Sequence, residues 1–289
     1  MERVRIGIGV SSIGRFLPLI GEAAGLFEKE NIAVEIVNRQ DEEKVVEQIA
    51  AQETPVGTPN APSLIFSRLD GNDLVIVGGL LNHPAFYLAA KPAIGGIADL
   101  KGKRIGINQP RRMAGLVMLA LLRKWGLDTE SDLTLVDLGL NDRSVQALRD
   151  GQIDAALLPP EKAFLLEEEG FHVVADSLGL DCHWVPLATT RRFLRANREL
   201  VGKIASIYRE SIRGFKSRPE LTLKEIARWL PALADRPQIL EKCYRLFADC
   251  FEPTLIPSLN SLQSILDEVA LQDPRAKEIA PASLVENVL

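Results

Sequence analysis

The sequence predicts an α/β protein of two lobes, each a mixed sheet flanked by helices, and three observations lead there. First, short words recur at one offset. Arg5-Ile6-Gly7-Ile8 returns as Arg104-Ile105-Gly106-Ile107, Val34-Glu35-Ile36-Val37-Asn38 as Leu133-Thr134-Leu135-Val136-Asp137, and Val46-Glu47-Gln48-Ile49 as Val145-Gln146-Ala147-Leu148, each 99 residues later. Second, 289 residues suffice for two lobes of roughly 100 to 150 residues each. Third, the last hundred residues read as helices alone, a supply of outer layer for a sheet that otherwise lacks one.

The elements follow in order. Residues 4–10 alternate branched apolar and small or charged residues, a strand, and Ser11-Ser12-Ile13-Gly14 turns the chain. Phe16, Leu19, Ile20, Ala23, Ala24 and Phe27 have helical spacing, with Gly25 as a C-terminal stop. Residues 33–37 form the second strand, and Asp41-Glu42-Glu43 places carboxylates at the positive end of the next helix. A loop at 58–63 leads into a third helix, and the wholly apolar run 74–81 is a buried strand. The second unit repeats this plan. It has a turn at 95–99, a strand at 104–107, a helix after Gln109-Pro110 that ends at Gly126, a turn at 150–154 into a strand, another strand at 171–175, and an apolar return at 184–188. Helices are then expected at 192–197, 200–216 and, after the break at Pro219, 221–229. Wrapping the tail around the first lobe gives residues 1–88 with 189–289 as lobe one and 89–188 as an inserted lobe two. Two crossings between lobes make a hinge, and a hinge cleft is a common small-ligand site.

Composition narrows the function. Hydrophobic residues at 46% and charged residues at 25% are those of a globular chain and exclude disorder. A net charge of −5 argues against nucleic-acid binding by broad phosphate attraction, so any anion site must be local. No apolar run reaches the roughly 18 residues of a membrane span, and Met1-Glu2-Arg3 leads straight into strand-like sequence instead of a signal-peptide core. Contact with a membrane is expected only through a partner. Cys182, Cys243 and Cys250 are odd in number, and the last two, seven apart on a helix, stand about 10 Å from each other, too far for a disulfide. With neither a Cys-x-x-Cys nor a His-x-x-x-His pair, no metal and no cofactor is expected.

The candidate binding residues cluster at strand-to-helix loops. Ser11, Ser12, Ile13 and Gly14, with Phe16 behind them, occupy the same place in the first repeat as Gln109, Arg111 and Arg112 in the second, and the two loops are expected on opposite walls of one cleft. Hydroxyls and helix N-terminal N–H groups suit an oxyanion, and an Arg fork holds a carboxylate or sulfonate with two parallel hydrogen bonds. The alternative for each is a solvated turn. Thr58, Asn60 and Ala61 precede the third helix, where Asn60 either caps that helix or turns into the cleft. Asn82, His83 and Tyr87 stand at the first crossing; His83 is otherwise a structural histidine. Glu161 ends a lobe-two strand and would select an amine or hydroxyl, and Trp184 supplies an aromatic wall or packs in the core.

The words Ala24-Gly25-Leu26-Phe27, Asp73-Leu74-Val75-Ile76-Val77, Asp99-Leu100-Lys101-Gly102-Lys103-Arg104-Ile105-Gly106, residues 147–155 and Phe193-Leu194-Arg195-Ala196-Asn197 occur in an order that resembles a known family. It is the sulfonate-, nitrate- and thiamine-precursor-binding (SsuA/THI5-like) substrate-binding proteins of ABC importers. The resemblance implies a periplasmic-binding-protein type 2 fold, a small-molecule ligand, an ABC permease as partner and a periplasmic location; a monomer is expected. The chain departs from the family at Gln52-Glu53-Thr54-Pro55, which stands where a Gly-x-x-Asp turn is usual. Pro55 removes a ladder donor, so the next strand should be short or at an edge.

No Gly-x-Ser-x-Gly elbow, P-loop, His-Glu-x-x-His helix or Gly-x-Gly-x-x-Gly fingerprint is present, so no catalytic residue is assigned. The reading is a solute-binding component that captures a small polar or anionic organic molecule by hinge closure. The alternative is a cytosolic enzyme on the same scaffold, resembling aromatic-acid decarboxylases or thiamine- and menaquinone-pathway synthases, if Met1 is the natural start.

Overall fold

Val4, Ile6 and Ile8 are buried at alternate positions of strand β1 (Glu2–Ile8), the strand around which the first sheet is built. The computed structural model describes residues 1–9, 12–39 and 41–289. Ser11, one of the expected ligand residues, lies outside the described residues. After β1 come α1 (Leu17–Ala23), α2 (Leu26–Lys29), β2 (Ile32–Asn38), α3 (Glu42–Ala50), β3 (Val56–Thr58), α4 (Ala61–Leu69) and β4 (Leu74–Leu81). The chain continues through β5 (Tyr87–Ala90), β6 (Arg104–Ile107), α5 (Met113–Lys124), β7 (Thr134–Asp137), α6 (Asn141–Arg149), β8 (Ala155–Leu158), α7 (Pro160–Glu168) and β9 (His172–Asp176). It ends with β10 (Val185–Thr190) and the helices α8 (Arg191–Ala196), α9 (Arg198–Ser217), α10 (Pro219–Trp229), α11 (Pro237–Cys250) and α12 (Leu259–Ala270).

Two compact units result, residues 1–82 with 181–289 and residues 83–180. Their sheets share one plan. The first has the order β2-β1-β3-β10-β4 and the second β7-β6-β8-β5-β9. In each, the first three strands are parallel, and the fourth is antiparallel to both of its neighbours. The 99-residue offset extends to register: Arg5 pairs with Glu35 as Arg104 does with Thr134, and Ile6 with Val56 as Ile105 does with Ala155.

The single helix expected around residues 16–27 is instead a 3-10 turn (Ile13–Arg15) followed by α1 and α2. Pro18 lacks an N–H and is tolerated only in a first turn, which sets the start of α1 at Leu17; the left-handed Gly25 (φ +68°) then separates α1 from α2. The tail helices belong to the first unit. Buried Leu200, Val201, Ile204, Ile207, Tyr208, Ile212 and Phe215 form a stripe at helical spacing on α9. The ring of Phe215 joins those of Tyr244 and Phe251, at centroid distances of 5.5 and 5.0 Å.

The turn before β8 shows what a Gly-x-x-Asp sequence does. Gly151 takes φ +71° and lets the chain reverse, and Asp154 then accepts hydrogen bonds from the Lys91 ammonium (2.7 Å) and the Arg104 backbone N–H (2.9 Å), pinning β8 to β6. Burial alone would raise the Asp154 carboxyl, but the hydrogen bonds from Arg104 and Lys91 outweigh it and hold the group well below the usual carboxylate range. A carboxyl depressed in the folded state stabilises above its unfolded value of about 3.9, and the contribution disappears as pH falls through the folded value. Asp154→Asn should therefore be destabilised at pH 7, with the gap to the parent narrowing once pH drops below about 4. Denaturation curves at both pH values measure this.

In the first unit the corresponding residue is Gln52, held at φ +61°, where a side chain costs about 1–2 kcal/mol. Gln52→Gly relieves this at some cost in chain entropy and should stabilise by about 0.5–1 kcal/mol in urea unfolding. Beyond the turn, β3 is three residues long, as Pro55 required. It is not an edge: β1 and β10 flank it, and the Pro55 carbonyl accepts a 2.7 Å hydrogen bond from the Thr189 hydroxyl.

Candidate functional site

β1 and β3 end together, Ile8 beside Thr58, so the loops that follow leave the first sheet at its carboxyl edge. Open α/β sheets place ligands there. Behind Gly9 lies the Glu42 carboxylate; a Cβ on Gly9 would fall 2.3 Å from its carboxyl carbon. Glu42, the first residue of α3, is 2% exposed. One of its oxygens accepts from Arg15 Nη2 at 3.0 Å and the other from the Asn60 backbone N–H at 3.0 Å, while the same Arg15 nitrogen donates to the Asn60 side-chain oxygen. Three loops are thus tied through one buried ion pair. Asn60 precedes α4 without a side-chain cap bond, so of its two expected roles the structure shows an inward contact in place of capping.

Several donors and acceptors around this pair make no hydrogen bond among the described residues: Arg15 Nε and Nη1, Ser12 Oγ, Thr58 Oγ1 and the Tyr208 hydroxyl. Arg15, Ser12, Thr58 and Tyr208 are all buried. Burial pushes the Tyr208 phenol up, against a smaller opposing pull from Arg15. Buried polar groups are normally paired, so this group has hydrogen-bonding capacity to offer a small polar molecule.

The second unit carries a counterpart at the 99-residue offset. Asn108 stands for Gly9, Asn141 for Glu42 and Ser144 for Val45. Asn108 donates to the Asn141 side chain and accepts from Ser144 Oγ at 3.0 Å. The next residue, Gln109, sits at φ +35° with its N–H on Asp137 (3.1 Å), and its side-chain oxygen accepts from Arg112 Nε at 2.7 Å. Gly115 on α5 presses against this loop: a Cβ there would lie 2.3 Å from the Gln109 carbonyl oxygen and 2.6 Å from that of Asn108. Arg111 is exposed, Arg112 half-buried at the N-cap of α5, and Glu161 buried in the first turn of α7.

The other sequence-derived residues are placed as follows. Ile13, Gly14, Phe16, Ala61 and Trp184 are packed in the first unit. Trp184 stands 6.3 Å from the Phe247 ring, and its carbonyl accepts from the Ala61 N–H at 3.0 Å. The Asn82 amide holds the 256–258 segment, donating to the Ile256 carbonyl (3.1 Å) and accepting from the Ser258 N–H (2.9 Å) and from His183 Nδ1 (2.9 Å). His83 is exposed with Nδ1 3.1 Å from the Leu180 carbonyl, and Tyr87 packs 4.8 Å from the Phe164 ring. Sequence reasoning missed Arg15, Glu42, Asn108, Asn141 and Tyr208. The repeat offset held a usable signal, because it aligns Glu42 with Asn141 and Gly9 with Asn108.

A family model described as NMT1/THI5 like matches residues 17–221 of the 289. The chain belongs to the NMT1/THI5-like family. Among relatives, a Haemophilus influenzae protein named a putative thiamine biosynthesis protein is 27% identical over 277 residues, 87% of each chain. A Uromyces fabae protein named 4-amino-5-hydroxymethyl-2-methylpyrimidine phosphate synthase is 28% identical over 145 residues, 49% of this chain and 41% of that one. Two solved structures show the fold. The periplasmic aliphatic sulphonate-binding protein SsuA of Escherichia coli superposes with a TM-score of 0.82 at 18% identity, covering 99% of this chain and 92% of that one. The alkanesulfonate-binding protein SsuA of Xanthomonas axonopodis pv. citri, bound to MOPS, gives 0.81 at 21% identity and 99% of both chains. The NMT1/THI5-like chain therefore has the periplasmic-binding-protein fold, two five-stranded mixed sheets flanked by helices.

In this NMT1/THI5-like chain two of the thiols, Cys182 and Cys250, are poor nucleophiles. Burial, with Glu268 and Asp181 nearby, pushes Cys182 up to about 12, and burial with Asp249 pushes Cys250 up to about 11. Among the described residues, no group of three or more His, Cys, Asp and Glu side chains is placed to hold a metal ion, and no helix is long and apolar enough to cross a membrane.

Proposed function

We propose that the chain is the solute-binding component of an ABC importer, acting in the periplasm as a monomer and taking up a small polar or anionic organic molecule by hinge closure of its two units. The observation that carries this reading is the buried, incompletely bonded polar group of Ser12, Arg15, Thr58 and Tyr208 at the carboxyl edge of the first sheet. The repeat supports a second contribution from Gln109, Arg111 and Arg112, with Asn60 and Glu161 as further contacts. Fixed donors of this kind suit a sulfonate, a carboxylate or the ring nitrogens of a polar heterocycle. The names of relatives and neighbours support the same range, from sulfonates to an aminopyrimidine.

Calorimetry with MOPS and with 4-amino-5-hydroxymethyl-2-methylpyrimidine tests it, alongside native mass spectrometry of the protein purified without denaturation. An anion held by charge-assisted bonds should bind roughly ten- to a hundredfold more weakly to Arg111→Ala or Arg112→Ala. Parent-like binding by both variants would remove the arginines as anchors and leave a neutral ligand held by the first unit. Since one relative is named a putative thiamine biosynthesis protein and another a pyrimidine phosphate synthase, chemical conversion of the pyrimidine in place of its retention would establish an enzyme on this scaffold.

A further inference from the structure

We propose that the first unit carries a second small-molecule site, for an amphiphilic carboxylate, at the edge of its sheet and apart from the loops that follow β1 and β3. Strand β4 ends the first sheet, and two separate pieces of chain cover its free edge. Near its start the Glu286 N–H donates to the Ile76 carbonyl (2.9 Å), and Val285 bridges to Ile76. Near its end the Gly79 N–H donates to the Leu255 carbonyl (2.8 Å) and the Glu252 N–H to the Leu80 carbonyl (2.9 Å). Between the two covers, over Val77, lies a cavity of about 650 Å3, well within the range of small-molecule sites.

Its walls are mainly apolar, with Leu255, Ile256, Leu259 and Val285 around Val77. Ile256 is 65% exposed and Leu259 48%, apolar surface that an alkyl chain would cover. Three charged side chains line the wall, Arg209, Arg213 and Glu286. Glu286 is taken by Arg191 (2.9 Å) and Arg213 by Glu210 (2.6 Å), whereas the Arg209 side chain forms no hydrogen bond or ion pair among the described residues, and its Nε is buried. A guanidinium partly withdrawn from water beside an apolar recess favours an anion that brings its own hydrocarbon: the carboxylate completes Arg209 and the chain fills the cavity.

The test uses octanoate as the probe, with octanol for the chain without the charge and acetate for the charge without the chain, titrated into the full chain by calorimetry. Octanoate should bind at least tenfold more tightly than either control. Arg209→Gln should weaken it about tenfold, and Ile256→Asp, which sets a carboxylate in the recess at an exposed position, by at least as much. Melting curves show that each variant is folded; should Arg209→Gln not fold, Ile256→Asp decides alone. Arg112→Ala should leave octanoate binding unchanged, which separates this site from the one proposed above. The proposal is overturned if octanoate does not bind at millimolar concentration, if octanol binds as well as octanoate, or if neither recess variant weakens binding. It also fails if Arg112→Ala abolishes binding, and if only an acidic apolar peptide binds the recess, its occupant is a protein segment.

Discussion

Glu42→Ala should destabilise the protein by about 3–5 kcal/mol, because it leaves the Arg15 guanidinium buried without its countercharge. The effect has three parts. The ion pair is lost, the Asn60 N–H loses its acceptor, and the 2% exposed Arg15 keeps a charge that water cannot reach. The double variant Arg15→Met, Glu42→Leu should recover much of this loss, since it removes both charges and restores apolar volume. Urea unfolding of the single and double variants gives the coupling directly. If Glu42→Ala loses less than about 1 kcal/mol, the pair is behaving as a solvated surface bridge, contrary to its burial. The double variant should nevertheless lose ligand, which separates the support of the loops from the contacts they make.

Gly115→Ala should be the more damaging of the expected changes for binding. The added methyl would meet main-chain carbonyl oxygens of Asn108 and Gln109, which cannot rotate away as a side-chain tip can. Either α5 retreats or the loop carrying Gln109 and Arg112 shifts, at about 1–3 kcal/mol of stability and at least tenfold in affinity for an anionic ligand. Gly214→Ala is the control. In α9 its Cβ would meet nothing within 4 Å, and replacing a helical glycine there should stabilise by up to about 1 kcal/mol. The same substitution is therefore expected to have opposite signs at two helical sites, and equal effects would refute the loop-contact argument.

What was legible in the sequence, and what was not, divides along a physical line. Strands of the Arg-Ile-Gly-Ile type announce themselves because branched apolar residues return at every second position, the period of a strand, and the run 74–81 because a strand buried on both faces is apolar throughout. The turn at Gly151 was readable because few residues take its backbone angle, whereas Gln52 hides the same conformation behind an ordinary side chain. Arg15 and Glu42 were invisible for a different reason. Arg15 ends a 3-10 turn and Glu42 opens α3, places where a charged residue usually faces water, and the pairing of both with Asn60 comes from a part of the chain well beyond either. Trp184 is another case: the sequence left an aromatic wall and core packing both open, and the neighbour that packs against it, Phe247, lies more than sixty residues later.

The antiparallel fourth strand also sets a timetable for the chain as it is made. Every strand of the second sheet has been synthesised by Asp176, but the first sheet waits for β10, which begins at Val185 and must slot between β3 and β4. From the end of β4 to the arrival of β10 the ribosome adds about a hundred residues, roughly 5–20 s of elongation. Throughout that interval β3 and β4 each present an unpaired edge. The nascent chain is thus expected to complete its later-encoded sheet first, and the seconds before β10 closes the earlier one are when a chaperone or a wrong partner strand has its opportunity.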